Sequence, residues 1–305
     1  MYFLNGDFSD MKIEKYIDKA YRKYKKRRSY KNRKELVDDF FNNDPKALDI
    51  LSRNERFRNA YAGKRCFVLG NGPSLKEIDL AILRNEYTFT VNQIARRDDF
   101  PQLHTNFHFW ADPAFFRIDP EKPEDLELLD TMKSVDTEDN HPFVFFPYNQ
   151  IDFAEKFNLI KNLNLFYFVS DVQIPLEETD YTHMVPSFDT VVQWCISMAI
   201  FMGFSEIYLL GCDNTGLINN IKSAADLDAE EYGYQTSINE QKRMRNLLNY
   251  HSLYDYVYSY MMVLRDYEKL YEYCTKHNVM LINCTKNSAI DNIPKKNLFE
   301  IFENN

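Results

Sequence analysis

Apolar residues follow two rhythms along this chain. From Lys64 onward, short unbroken apolar runs alternate with longer stretches in which apolar side chains return every three or four positions. The runs predict strands over residues 66–69, 87–91, 107–110, 143–146, 165–169, 207–210 and 279–283. Helical spacing predicts helices over 75–83, 124–132, 190–202 and 254–276. Short apolar strands separated by helices specify a parallel sheet covered on both faces. The expected fold is therefore α/β, a Rossmann-like and mostly parallel sheet flanked by helices. Residues 1–60 read as a helical extension broken at 42–45, and residues 61–305 as the main domain. Residues 214–250 are polar and lack a strand pattern. They form either a lid over the sheet edge or an ordinary surface excursion.

Composition narrows the class. With 305 residues, 27% charged and 15% aromatic, the chain is globular and long enough for one sizeable core. Five irregularly spaced cysteines without a signal-peptide start imply a reduced, cytoplasmic protein with no disulfide framework. There is no Cys-x-x-Cys pair, and no structural metal site is expected. The longest apolar stretch, 190–202, is too short to span a bilayer, which takes about 20 residues.

The net charge of −9 conceals an asymmetry. Residues 12–34 hold twelve Lys/Arg against Glu14 and Asp18, a balance of +10, which leaves −19 for the rest. Ile13, Ile17, Ala20 and Tyr24 fall at helical spacing, giving a basic amphipathic helix. It either contacts anionic lipid on the inner face of a membrane, or packs in cis or in a homo-oligomer. Nucleic acid is the least suitable partner, because the acidic remainder repels phosphate.

The candidate chemistry centres on Gly70-Asn71-Gly72-Pro73-Ser74. A strand, a glycine turn and a helix start present backbone N–H groups to an anion. Ser74 and Glu77 have capping-box spacing. One reading is a nucleotide phosphate over Gly70 to Ser74; the other is a tight turn whose serine only caps. On the first reading, Gly72→Val weakens nucleotide binding with little loss of folding. The dinucleotide fingerprint does not fit, because Leu75 replaces the third small residue and the second strand ends in Asn92-Gln93 rather than an acid. Ligands of open parallel sheets bind beyond the carboxyl ends of the strands. Those ends carry Asn92, Gln93, Asp112, Asp213 and the segment 283–285, a rim of amides, hydroxyls and acids.

The segment from Leu69 to Asp79, the residues Val91-Asn92-Gln93 and Asp112-Pro113, and the junction from Met202 to Asp213 resemble the bacterial sialyltransferases of glycosyltransferase family 42. Ser187 to Val191 and the Asn283-x-Thr285-x-x-Ser288 segment resemble a related branch. That branch holds motility-associated flagellin glycosyltransferases and 6-hydroxymethylpterin diphosphokinase-like proteins. The resemblance covers roughly Lys64 to Phe302. It implies a nucleotide-sugar-binding catalytic domain using a nucleotide-activated donor, with CMP-sugar foremost and no separate cofactor. The acceptor would be a glycan or lipid-linked glycan. It makes His251 the general base of an inverting, metal-independent transfer. Gly70, Asn71, Gly72, Ser74, Asn92, Gln93 and Asp112 would contact the nucleotide on one side, Ser187 and Thr190 on the other, with Asp213 nearby. The family's phosphate-holding tyrosines do not follow Asp213 directly; Tyr232 and Tyr234 are the next available. Diphosphate transfer from ATP, with Asp112 and Asp213 holding Mg²⁺, is the competing enzymatic reading. A non-catalytic assembly protein is the third.

Overall fold

The computed structural model describes residues 33–218, 221, 232–248 and 252–303, with the backbone alone for 244–248. Eight strands form one sheet: β1 (Arg65–Leu69), β2 (Tyr87–Val91), β3 (Phe107–Phe109), β4 (Phe143–Pro147), β5 (Asn164–Asp171), β6 (Met184–Pro186), β7 (Glu206–Leu210) and β8 (Met280–Asn283). Every pairing is parallel, and the order is β6-β5-β4-β3-β2-β1-β7-β8. The chain thus builds leftward from β1 to β6, then crosses back to place β7 on the other side of β1. All seven predicted strands are present. Sequence patterning missed β6, whose three residues are too few to show a period.

The helices are α1 (Arg33–Asn43), α2 (Pro45–Ser52), α3 (Phe100–Leu103), α4 (Pro123–Lys133), α5 (Ile151–Lys156), α6 (Val191–Phe201), α7 (Ile238–Leu248), α8 (Leu253–Lys276) and α9 (Leu298–Glu303). The predicted break at 42–45 falls between α1 and α2, where Pro45 cannot continue a helix but can begin one. The chain divides into two units, Met1–Leu48 and Asp49–Asn305. Of the first, α1 and the start of α2 are described.

In the second unit the sheet is buried on both sides. Cys66, Val68, Phe89, Phe107 and Phe109 share a core with Cys195, Ile196 and Ala199 of α6 and Tyr267 and Leu270 of α8. On the opposite face Phe67 stacks on Tyr208, with ring centroids 5.2 Å apart, and on Phe302 of α9 at 5.8 Å. Phe57, from a short 3-10 turn at Arg53–Phe57, meets the rings of Phe143 and Phe166 edge-on at 5.0 and 4.9 Å. Asn54 of the same turn donates to the carbonyls of Tyr167 and Tyr181. Asn54 and Phe57, which the sequence assigned to the extension, are therefore buried against the sheet. All five cysteines are free and buried. Burial pushes each thiol up, those of Cys212, Cys274 and Cys284 to about 12.

One predicted helix is corrected. Residues 75–83 form two 3-10 turns, Pro73–Glu77 and Leu80–Leu83, separated by extended backbone at Ile78 and Asp79. Asp79 accepts the Ala81 N–H at 3.0 Å, a local bond that restarts the chain instead of continuing a helix.

Among the described residues no helix is long and apolar enough to cross a membrane.

Candidate functional site

The crossover from β6 to β7 puts a topological switch between β1 and β7, where open α/β sheets leave a crevice at their carboxyl edge. The glycine turn after β1 and the turn after β7 meet there. Gly70 N–H donates to the Leu210 carbonyl at 2.8 Å, and Gly72 N–H to that of Gly211 at 2.7 Å. A Cβ on Gly70 would overlap the Gly211 carbonyl, and one on Gly72 would overlap the Asp213 carboxylate. Gly70 is small because backbone meets backbone, and Gly72 because the Asp213 side chain and the Gly211 carbonyl both press against it.

Asp213 completes this junction. Its carboxylate accepts the Ser74 N–H at 3.1 Å and the Ser74 hydroxyl at 2.7 Å. The anion expected over Gly70 to Ser74 is thus the chain's own side chain, and the turn's Gly70, Gly72 and Ser74 amides are spent internally. Two expectations are corrected by this geometry. Ser74 does not form a capping box with Glu77, since the turn is capped at Gly72 without a side-chain bond. Gly72→Val cannot leave folding untouched. Burial raises the Asp213 carboxyl above its ordinary value, opposed by the Ser74 hydrogen bonds.

The Asn283-x-Thr285-x-x-Ser288 segment holds the other side of the same turn. Thr285 Oγ1 accepts the Cys212 N–H at 2.9 Å, Ser288 Oγ donates to the Cys212 carbonyl at 2.6 Å, and Ala289 N–H donates to the Asp213 carbonyl at 2.8 Å. Asn283 Oδ1 accepts the Thr285 N–H. The motif is structural: it fixes the backbone that aims Asp213.

Residues 232–234 of the polar excursion lie on the rim. Gly233 N–H donates to the Asn71 carbonyl at 2.8 Å, and a Cβ at Gly233 would lie 2.8 Å from the Gly72 carbonyl oxygen. Tyr232 and Tyr234 stack on each other on either side of it, centroids 5.3 Å apart and planes 10° apart. Arg97 joins the pieces: Nη1 donates to the carbonyls of Leu75 and Gly233, Nη2 to that of Ile78, and the guanidinium also pairs with Asp99.

Further along, a buried network clamps α7 to the body. Glu240 is fully buried and accepts from Gln93 Nε2 at 2.6 Å and from Arg243 twice at 2.9 Å. Arg96 donates to Gln93 and to Glu127, and Glu127 also accepts from Ser237 and Asn239. Burial pushes the Glu127 carboxyl up, but the bonds from Ser237, Arg96 and Asn239 outweigh it and hold the group below its ordinary value. Gln93, expected to contact base or ribose, is 1% exposed and belongs to this clamp instead. No short sequence pattern announces the network; only the Glu240-x-x-Arg243 spacing hints at a pair.

At the carboxyl ends of β1, β2, β3 and β7, several polar atoms are shut from solvent and have no hydrogen-bond partner. They are Asn71 Oδ1, Asn92 Oδ1, Trp110 Nε1 and Asn214 Nδ2. Asn92 and Asn214 also adopt left-handed backbone, φ 49° and 53°. His108 Nδ1 lies 2.8 Å from the Thr90 hydroxyl, and burial lowers the imidazole to about 3, so the ring is neutral. Each such orphan costs about 1–3 kcal/mol when buried. The sequence singled out Asn71 and Asn92; it gave no reason to choose Trp110 or Asn214.

The remaining expected residues are dispersed. Asp112 accepts the Ala114 N–H at 2.8 Å and caps a 3-10 turn after β3. Thr190 caps α6 in a capping box with Gln193. Ser187 N–H donates to the Asp171 carbonyl at 3.2 Å. His251 lies outside the described residues. Among the described residues no three His, Cys, Asp or Glu side chains are grouped to hold a metal.

A parallel α/β sheet with a polar carboxyl rim and a polar segment folded over it places the protein in the Rossmann-like class. Within that class the chain belongs to the 6-hydroxymethylpterin diphosphokinase MptE-like family, which residues 38–216 match. No curated protein matches it. Among solved structures it is similar to a sialyltransferase, CstII from Campylobacter jejuni, determined with a substrate analogue, cytidine-5′-monophosphate. Identity is 21%, with 77% of this chain and 85% of that chain covered and a TM-score of 0.40.

Proposed function

We propose that the protein is a transferase that takes a nucleotide-activated sugar, with CMP the foremost nucleotide, at the carboxyl ends of β1, β2 and β3 beneath the 232–234 segment. The observation that carries this reading is the set of unpartnered groups there. Amides and an indole pair with base edges and sugar hydroxyls. A ligand that entered when the covering segment opened would satisfy atoms that now cost free energy. Asn71 and Asn92 would bind the nucleoside, with Trp110 and Asn214 alongside. The phosphate would lie away from Asp213, against the hydroxyls of Tyr232 and Tyr234.

His251 would act as general base. It would take the proton of an acceptor hydroxyl as that oxygen bonds to the anomeric carbon and the bond to the nucleotide phosphate breaks. A surface glycan or lipid-linked glycan suits as acceptor. The basic residues 12–34 would keep the protein peripherally on an anionic, cytoplasmic membrane face.

The family's name favours a second reading, diphosphate transfer from ATP. The rim's neutral donor set suits a triphosphate less well, since phosphates call for cations.

Thermal unfolding with CMP, a UDP-sugar and ATP with Mg²⁺, each added separately, tests the proposal. A true ligand at 100 times its Kd stabilises by about 2.7 kcal/mol. CMP is expected to shift the transition. Stabilisation by ATP with Mg²⁺ alone would replace sugar transfer with diphosphate transfer.

A further inference from the structure

Helix α8 runs for 24 residues, and its C-terminal part is anchored by Val263, Tyr267, Leu270 and Cys274 in the core. Its first turns are different. Leu253, Tyr254, Val257, Tyr258 and Met261 are 40%, 76%, 47%, 53% and 52% exposed. Residues 254, 257, 258 and 261 are related by steps of three and four, so they form one stripe along the helix. Single exposed apolar side chains need no explanation, whereas a contiguous stripe of them marks a contact surface.

We infer that this stripe is a homodimer interface, in which α8 packs antiparallel against α8 of a second copy. Three observations select that occupant. Charge comes first: from Ser252 to Leu264 there is no Lys or Arg, and the single charge, Asp255, is bonded to Ser252. A helix lying on anionic lipid carries basic residues along its polar face, and these first turns have none. An uncharged stripe meets its own copy without repulsion.

Register is the second. A two-fold axis between positions 257 and 258 sets Tyr254 against Met261 of the second copy and Val257 against Tyr258, so the four most exposed apolar positions cover one another. Such an interface is isologous, as a C2 dimer requires. The Tyr–Met pairs add a favourable sulfur–aromatic contact.

Area is the third. An aromatic side chain carries ~150–250 Å², so the four exposed fractions of the stripe amount to roughly 500 Å² per copy, or about 1,000 Å² in the pair. That reaches the lower bound of a specific interface. Tyr and Met are also enriched in interface cores.

The full chain should sediment as a concentration-dependent dimer. The double variant Tyr254→Lys with Met261→Lys places like charges together across the axis and should weaken self-association at least a hundredfold. Both positions face solvent in the protomer, so its circular dichroism should be unchanged. Tyr254→Glu with Met261→Glu should also be monomeric, and mixing the lysine and glutamate proteins should restore a one-to-one dimer. A monomeric native chain, a lysine variant that stays dimeric, or a mixture that fails to reassociate would each overturn the inference. Vesicles of phosphatidylcholine with phosphatidylglycerol serve as the control. A monomeric native chain whose vesicle binding is lost in the double variant would assign the stripe to lipid.

Discussion

Two corners of the same rim are built by opposite rules. Where β1 meets β7, the Gly70, Gly72 and Ser74 amides, a serine and an aspartate engage the facing turn, glycine appears because two chain segments touch, and the side chains of Asn71 and Asn214 each keep one unpaired atom. Where β2 and β3 end, Asn92 Oδ1 and Trp110 Nε1 are shut from solvent and unpaired, beside a buried neutral histidine. Glycines and backbone amides are the usual marks of a phosphate site, yet here they serve as joinery. The plainer side chains within and beside that joinery are the unfinished part. A folded chain tolerates unpaired buried groups where something else completes them, so the second corner is the better place to seek a ligand.

The largest expected effect sharpens this contrast from the side of the clamp. Glu240→Ala removes the buried carboxylate that lies 2.9 Å from Arg243 and 3.6 Å from Arg96, and should cost about 3–5 kcal/mol. Urea unfolding measures it, and limited proteolysis within 232–248 shows whether α7 detaches first. A loss below about 1 kcal/mol would mean the clamp does not hold the covering segment.

Gly72→Val comes next, at about 3 kcal/mol, because the new side chain must displace Asp213 and the Gly211 carbonyl. Full stability with lost nucleotide binding would restore the turn as a ligand site and reverse the comparison of the two corners.

Asp213→Asn should be smaller and dependent on pH. The amide oxygen still accepts the Ser74 N–H and the amide NH2 donates to the Ser74 hydroxyl in place of accepting from it, so at pH 7 little changes. The native carboxyl sits above its ordinary 3.8, so the folded state takes up its proton first as pH falls. Between that raised value and 3.8, the native protein should gain stability relative to the variant, as paired melts across the acid range would show. A difference that ran the other way would mean the Ser74 bonds outweigh burial.

Asn92→Gly should have the smallest effect on folding, within about 0.5 kcal/mol, since glycine accepts the left-handed backbone and the lost carbonyl oxygen has no partner. Its CMP-induced shift in melting should nevertheless disappear. An undiminished shift would move the nucleoside away from β2.

Much of the fold was legible because its signals are local. Apolar runs such as Phe143 to Phe146 can only be buried strands, and the Thr190 cap opens α6 as the pattern implies. Failures came where a distant residue decides. Ser74 looks like a cap until Asp213, 139 positions away, takes its hydroxyl. Gln93 looks like a ligand contact until Glu240, 147 positions away, takes its amide. Asn71 and Asn92 could be chosen from position alone, since they follow strands. Trp110 could not, because nothing in a sequence says whether a buried indole N–H has found an acceptor.

The five buried thiols carry a practical consequence. Each is uncharged and shielded in the native protein, so alkylating reagents should meet almost no thiolate until the chain opens. Cys212, at the edge of the shared core, lies in the turn against Gly70, whereas Cys66 of β1 and Cys195 of α6 are fully buried within that core. Rates of modification at the individual sulfurs would then act as two clocks in one molecule. One would time the parting of β1 from β7 at the rim, and the other the loss of the core itself.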